Sequence, residues 1–420
     1  MKWPTSAPPT QASSAALMRA TAAKLAARVQ QANTLQQDGE FEPAEALYLD
    51  VLKVDPVNAD ALHFLGVLRI QQRRFDEAQA LIERSLKQAS DYVDAWNSLG
   101  NLHRIRNEHA TARRCYEQVL ARSPRHVEAW HNLALVLQVM GEFDKAAQCF
   151  RALLTLHPGS HATRRNLGAL LYVQGKFGEA AAIYRDWVAI EPNNPTARHL
   201  LASCGGDVAP ERAADDYVRA TFDRFASSFD EVLVERLRYI APQRLAEALL
   251  PQLGAPQRAL AVLDAGCGTG LCGPLLREHA ARLVGVDLSS AMIEQARARG
   301  YDELVNAELG AFLAREPMAW DVIVSADTLV YFGDLRQTMQ AAAAALRPGG
   351  WLAFTLEDLN VDDDQAQLSP SGRYQHSRRH VEAALAEAGL IPVVIAADAL
   401  RKEKGQPVPG WVVVAGRSRG

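Results

Sequence analysis

Apolar positions in the first half of the chain recur every 34 residues. Ala44, Ala78, Ala112, Ala146 and Ala180 hold one register, and Tyr48, Ile82, Tyr116, Phe150 and Tyr184 hold another. Small residues keep a third (Ala32, Gly66, Gly100, Ala134, Gly168) and leucines a fourth (Leu65, Leu99, Leu133, Leu167, Leu201). Pro56, Pro124, Pro158 and Pro192 mark the unit ends, with Ser90 at the vacant position. The spacing within each period is helical, so every unit predicts a pair of helices. In the third unit, residues 95–100 open the first helix and residues 112–120 bring Tyr116 back onto its small positions. A single hairpin cannot cover its apolar face, so stacked units predict a solenoid with a groove.

The pattern changes after residue 194. Residues 195–203 keep the register for one more helix, a cap, and then Gly205, Gly206 and Pro210 mark a linker. Residues 213–250 read as helical, with an aromatic series Tyr217, Phe222, Phe225 and Phe229. From Ala259 onward, short apolar runs alternate with helical stretches at 259–264, 282–287, 303–307, 320–326, 350–356, 391–396 and 410–416. Seven such runs predict a doubly wound, mostly parallel sheet. Only 13 residues separate the last two, which allows an antiparallel return. The expected organisation is an extension at 1–24, five repeats at 25–194, cap and linker at 195–212, and an α/β Rossmann-like domain at 213–420.

Composition narrows the class. A chain of 420 residues exceeds one compact core, and 48% hydrophobic with 22% charged residues fits an ordinary globular protein. A net charge of −4 offers no footprint for nucleic acid or an anionic membrane. Five cysteines without C-x-x-C spacing argue against a disulfide framework or a zinc site and fit a reducing compartment. Prolines interrupt the first residues before any signal-length apolar run, and no run is long enough to span a bilayer, so the expected location is cytoplasmic.

The candidate chemistry sits in the second half. An apolar run ends in Asp264 and is followed by Gly266, Gly268 and Gly270; a second run ends in Asp287. This is the pattern of a βαβ nucleotide site, with a tight glycine turn and a carboxylate placed to hold two ribose hydroxyls. Asp264 beside the loop would repel a pyrophosphate but suits a ligand bearing a sulfonium and an ammonium. That points to S-adenosylmethionine and methyl transfer. Gly268-x-Gly270-x-x-Gly273 also fits the dinucleotide fingerprint, so an NAD-type oxidoreductase stands as the enzymatic alternative.

The period, small, aromatic and proline positions of residues 25–194 resemble the tetratricopeptide repeat. Residues 213–420 resemble class I S-adenosylmethionine-dependent methyltransferases. With Phe222–Asp223–Arg224–Phe225–Ala226 and Ser369–Pro370–Ser371–Gly372–Arg373–Tyr374, the whole chain is similar to the bacterial methyltransferases that carry such repeats. The resemblance implies that Asp264 orients the glycine loop or holds the cofactor's ammonium. It implies that Asp287 takes the ribose and that Leu288 and Met292 pack on the adenine. Glu308 becomes a candidate for the adenine edge, and Asp327, after the fourth strand, a further cofactor contact. His376 and Tyr374 are candidate catalytic groups, with Glu357 and Tyr331 as further bases or acceptor ligands. Phe222, Phe225 and Phe229 could form a lid or anchor their helix to the sheet.

The solenoid groove is expected to take a protein or peptide partner, with Asn97, Asn101, His131, Asn132 and Asn166 as candidate contacts. They resemble the asparagine ladder in the repeat region of O-GlcNAc transferases, and read equally as solvated polar residues. The basic cluster His103, Arg104, Arg106, Arg113, Arg114 and Arg125 reads as a solvated face or an anion site. A scaffold whose second domain keeps the fold without activity remains the non-enzymatic alternative.

Overall fold

The computed structural model describes residues 11–231, 237–403 and 406–419, with side chains from residue 19 onward. The chain forms two compact units, Met1–Leu170 and Leu171–Gly420. Among the described residues no helix is long and apolar enough to cross a membrane.

The first unit is an all-helical series of hairpins, beginning with the helix Gln11–Gln37, which runs unbroken through the expected boundary at 24/25. The period of 34 has a steric origin. A Cβ on Gly66 would lie 2.6 Å from Ile82 Cγ1, and one on Gly100 would lie 2.7 Å from Tyr116 Cε1. The small register therefore exists to receive the large register of the following helix. A further periodicity lies in the turns between paired helices, where Gly39, Arg73, Asn107, Gly141 and Gly175 all take positive φ. Two of these are not glycine and hold a strained left-handed backbone.

Three members of the predicted basic cluster meet acids of its own unit. His103 meets Glu108 at 2.5 Å, Arg106 meets Asp76 at 2.7 Å, and Arg113 meets both Glu117 and Glu142. Among the groove asparagines, Asn101 Oδ1 accepts from Tyr116 Oη at 2.7 Å and from Asn132 Nδ2 at 3.0 Å. Asn97 is buried and its Oδ1 has no hydrogen-bond partner.

The second unit is built on a mixed sheet. Strands β1 (Leu260–Ala265), β2 (Ala280–Asp287), β3 (Glu303–Asn306), β4 (Trp320–Ser325) and β5 (Leu346–Asp358) run parallel in the order β3-β2-β1-β4-β5. Beyond β5, strand β9 (Gln406–Arg417) returns antiparallel, and β8 (Leu390–Glu403) pairs antiparallel with β9. Alternation sends neighbours to opposite faces. Leu263, Ile323 and Phe354 join one core with the helices Leu309–Arg315, Arg336–Ala345 and Arg378–Glu387. Val262, Val322 and Ala353 join another, beneath the helix Ala241–Leu253.

The sheet has nine strands among the described residues rather than the seven expected. The additional pair is a hairpin, β6 (Ala366–Leu368) and β7 (Tyr374–His376), and β7 pairs with the last residues of β5. Three-residue strands carry no readable alternation, and this pair takes its order from β5 and from a Ser-Pro-Ser-Gly turn with Gly372 at φ +82°.

The predicted cap and linker are fastened into this unit. In the helix Pro195–Ser203, His199 Nε2 donates to Gly372 O at 2.8 Å and its ring stacks on Tyr217 at 4.0 Å. Ala202 packs with Leu368 and Tyr374, and the Tyr374 hydroxyl donates to Pro210 O. Arg212 bridges to Phe332, so the segment closes along the loop after β4.

Candidate active site

A cavity opens at the carboxyl ends of β1, β2 and β4, where open α/β sheets place their ligands. Gly266, Gly268 and Gly270 all adopt positive φ in the loop after β1, for different reasons. A Cβ on Gly266 would lie 2.1 Å from Thr328 Oγ1, and one on Gly270 would lie 2.8 Å from Tyr301. Gly268 meets nothing within 4 Å, because it borders the cavity. Its N–H donates to Asp287 Oδ2 at 2.9 Å, while Ser289 N donates to Asp287 Oδ1 at 2.8 Å.

The two acids face the cavity without a cation. Asp264 is buried and accepts from the Tyr301 hydroxyl at 2.5 Å. Burial pushes its carboxyl up to about 7, against the Tyr301 bond and helped by the nearby Asp287 charge. Burial also raises Asp287 above the usual carboxylate range, despite the amides of Ser289 and Gly268. Neither pairs with Lys, Arg or His among the described residues. The arrangement fits a ligand carrying positive charge and vicinal hydroxyls. It suits a pyrophosphate poorly, since the helix that follows the loop, Gly273–Leu276, has only four residues.

Several predicted residues hold other positions. Leu288 lines the cavity, whereas Met292 is fully buried and does not. Glu308 reaches the cavity wall, but its carboxylate caps the helix Leu309–Arg315 through Gly310 N at 2.9 Å and Ala311 N at 2.6 Å, and accepts from Arg212 at 2.8 Å. Its part is that of an N-cap in contact with the cavity.

Both catalytic candidates are displaced from the cavity. His376 is fully buried, its Nε2–H donates to Phe332 O at 2.8 Å, and burial pushes its imidazole down to about 4. Tyr374 gives its hydroxyl to Pro210 O. Neither lines the cavity, so neither is placed to touch an acceptor. On β7 the alternation puts Tyr374 and His376 on one face, and Arg373, just ahead of them, reaches the cavity instead.

Asp327, expected as a cofactor contact, does line the cavity, at φ +52°, but its carboxylate is engaged by an arginine. It accepts from Arg401 Nη1 at 2.8 Å and lies at the head of a partly buried ion cluster, in which Arg401 and Glu357 are buried. Arg401 also donates through Nε to Glu403 at 2.9 Å and through Nη2 to Glu357. Arg373 donates through Nε to Glu357 at 2.6 Å and through Nη2 to Glu403. Burial works against both guanidiniums, yet the neighbouring carboxylates hold them above the usual arginine range. Burial likewise raises Asp327, opposed by Arg401. Sequence reasoning missed Arg373, Arg401 and Glu403.

The aromatic segment spans the other side. Phe222 and Phe229 line the cavity, and Phe225 is largely exposed. The neighbouring acids hold the segment against both nucleotide loops: Asp223 accepts from Ser289 Oγ at 2.5 Å, and Asp230 accepts from Thr269 Oγ1 at 2.5 Å and from Arg299.

Residues 235–390 match the family model described as a methyltransferase domain, and residues 35–102, 93–136 and 131–195 match tetratricopeptide-repeat models. The chain is 31% identical over 210 residues to a malonyl-[acyl-carrier protein] O-methyltransferase of Pseudescherichia vulneris, covering 45% of this chain and 78% of that relative. It is 33% identical over 139 residues to the protein of the same name from Salmonella typhimurium, covering 33% and 52%. It is 31% identical over 159 residues to a ubiquinone biosynthesis O-methyltransferase of Chelativorans, covering 34% and 62%. The chain thus spans a little over half the length of the latter two. Together with a glycine loop flanked by two cation-free carboxylates, these similarities mean that the chain belongs to the S-adenosylmethionine-dependent methyltransferases, joined to a tetratricopeptide-repeat region.

Proposed function

We propose that Asp264, Asp287 and the loop at Gly266–Gly270 form the cofactor site, and that an acceptor approaches from the side of Asp327, Tyr331 and Arg373. The observation that supports this most directly is that Asp264 is buried and Asp287 half-buried beside the cavity, with no cation paired to either among the described residues. When bound, S-adenosylmethionine supplies a methyl group already activated by its sulfonium. Asp287 keeps lone pairs for two ribose hydroxyls while the Gly268 and Ser289 amides fix its orientation. Asp264, positioned by Tyr301, provides the negative charge that matches an ammonium or sulfonium. Gly268 leaves the space in which the ligand can approach the backbone. Phe222 and Phe229 exclude water from the reacting atoms, and the ion cluster aligns the acceptor.

Calorimetry with S-adenosylmethionine, S-adenosylhomocysteine and NAD tests the assignment. The sulfonium ligand should bind and NAD should not, and Asp287→Ala should weaken binding by about 1–3 kcal/mol through lost charged hydrogen bonds. Preferential NAD binding, or an unchanged affinity in the variant, would reverse the reading.

We further infer that the repeats recruit a protein or peptide, either as substrate or as partner. The tetratricopeptide matches support this, because stacked hairpins of that kind leave a groove for an extended chain. Affinity capture with the full chain should lose its specific partner when the half-buried groove candidate Asn166 is changed, Asn166→Ala; identical capture by both proteins would remove Asn166 from that role.

A further inference from the structure

We propose that the methyl acceptor is an amine, which enters the cavity as an ammonium group and is held by its aromatic rings and its surplus of carboxylates. This rests on the cofactor reading above and adds the chemical class of the acceptor.

The first observation is the balance of charge on the wall beyond the glycine loop. Asp327, Glu357 and Glu403 face only two cations, Arg373 and Arg401. Every nitrogen of Arg401 is already committed to one of the three acids, and Arg373 bridges two of them. An incoming carboxylate would therefore have to share guanidiniums that already donate to these three acids rather than meet an unengaged arginine. An anionic acceptor would add negative charge to a partly buried wall that already holds one negative charge too many. An ammonium would balance it.

The second observation is independent of the charges. Phe222 stands edge-on to Tyr331, with centroids 5.5 Å apart and planes at 84°, and Phe229 meets Phe222 at 6.0 Å and 63°. All three line the cavity. Rings at steep angles present the negative face of at least one π system to a guest, which is how ammonium groups are recognised. The Tyr331 hydroxyl has no partner among the described residues and can accept from an N–H.

Asp327 is the group placed to take the proton. It adjoins Thr328, whose hydroxyl donates to Gly266 O at 3.1 Å, so it borders the turn of the cofactor loop. The ammonium gives one proton to the Asp327 carboxylate. The nitrogen lone pair then forms the N–CH3 bond as the S–CH3 bond breaks, and that electron pair stays on sulfur. The elevated carboxyl of Asp327 makes it a stronger base than an exposed aspartate.

Two measurements on the full chain test the assignment. In the first, tritiated methyl groups are transferred from S-adenosylmethionine into a bacterial lysate, and the products are treated with mild base. Label that survives base and elutes with N-methylated amines after acid hydrolysis supports the proposal. Label lost as volatile methanol, or recovered in methyl ethers, overturns it. If no label is transferred, the second measurement decides. The protein saturated with S-adenosylhomocysteine is heated with butylammonium or butyrate at matched ionic strength. Butylammonium should raise the melting temperature and butyrate should not, and Glu403→Gln should weaken the ammonium effect five- to tenfold in apparent affinity. Equal stabilisation by butyrate overturns the proposal. Failure of S-adenosylhomocysteine to bind in calorimetry instead removes the cofactor reading first, and the two failures are thereby told apart.

Discussion

Replacing Gly266 and Gly268 with alanine should separate folding from ligand binding within one loop. At Gly266 the new methyl would meet Thr328 at 2.1 Å from Oγ1 and 2.3 Å from Cγ2, with the backbone at φ +79°. Thr328 is β-branched and cannot swing aside freely. Left-handed strain of about 1–2 kcal/mol and overpacking of about 1–3 kcal/mol together predict a local loss of roughly 2–5 kcal/mol. At Gly268, φ is +54° and nothing lies within 4 Å, so only the backbone strain of about 1–2 kcal/mol remains. Its methyl, however, would stand in the cavity. Hydrogen exchange on peptides covering β1 and β2 reads the first effect, and calorimetry with S-adenosylmethionine reads the second. Gly266→Ala should exchange much faster. Gly268→Ala should stay nearly as protected as wild type while binding falls at least about tenfold, or ~1.4 kcal/mol. Adding Thr328→Gly to Gly266→Ala should recover the steric part and leave the backbone part. Wild-type protection in Gly266→Ala, or wild-type affinity in a folded Gly268→Ala, would refute the division of roles.

Four further outcomes are expected. His376, held down to about 4 in the fold against an ordinary 6.5, stabilises the protein above pH 6.5 and loses that contribution as the pH falls toward 4, by up to about 3 kcal/mol; in His376→Gln this acid sensitivity should shrink while methyl transfer persists, as unfolding curves across pH and activity assays would reveal. Asp264, raised to about 7, costs the ligand-free fold stability as pH climbs from about 4 through 7, and cofactor affinity should fall up to about tenfold per pH unit below 7, a slope that Asp264→Asn should flatten in calorimetry. A fragment starting at residue 213 leaves the Tyr374 hydroxyl and Gly372 carbonyl unpaired, at about 1–3 kcal/mol each, and should melt well below one starting at 171; equal melting temperatures would show that the strap is dispensable. Arg73→Gly relieves a φ of +62° and should raise repeat stability by about 0.5–1 kcal/mol in denaturant titrations, whereas a loss would mean that the Arg73 side chain matters more than its backbone.

What the sequence disclosed was whatever is local along the chain. The period of 34 is visible because Gly66 and Ile82, or Gly100 and Tyr116, repeat a contact made within one hairpin. Asp264 and Asp287 are visible because a strand, a turn and a second strand are contiguous. The far wall of the cavity was hidden because the turn into β7 and the end of β8 deliver Arg373, Arg401 and Glu403 from distant positions, and each alone reads as an ordinary surface charge. The apolar runs at 391–396 and 410–416 ended before the charged tip of their hairpin, yet that tip holds Arg401 and Glu403. His376 misled for a subtler reason. It lies three residues from Arg373, but the pleat of β7 turns it toward Phe332 rather than the cavity.

The lone charge on Asp264 also bears on what happens after the reaction. On the proposed assignment, each turnover erases the sulfonium charge from beside a carboxylate that, among the described residues, leans on a tyrosine hydroxyl. With its acidity near neutrality, that carboxylate then favours drawing a proton from water. The spent donor is therefore gripped less firmly than the fresh one, and departure of the by-product is built into the same side chain that welcomed its precursor.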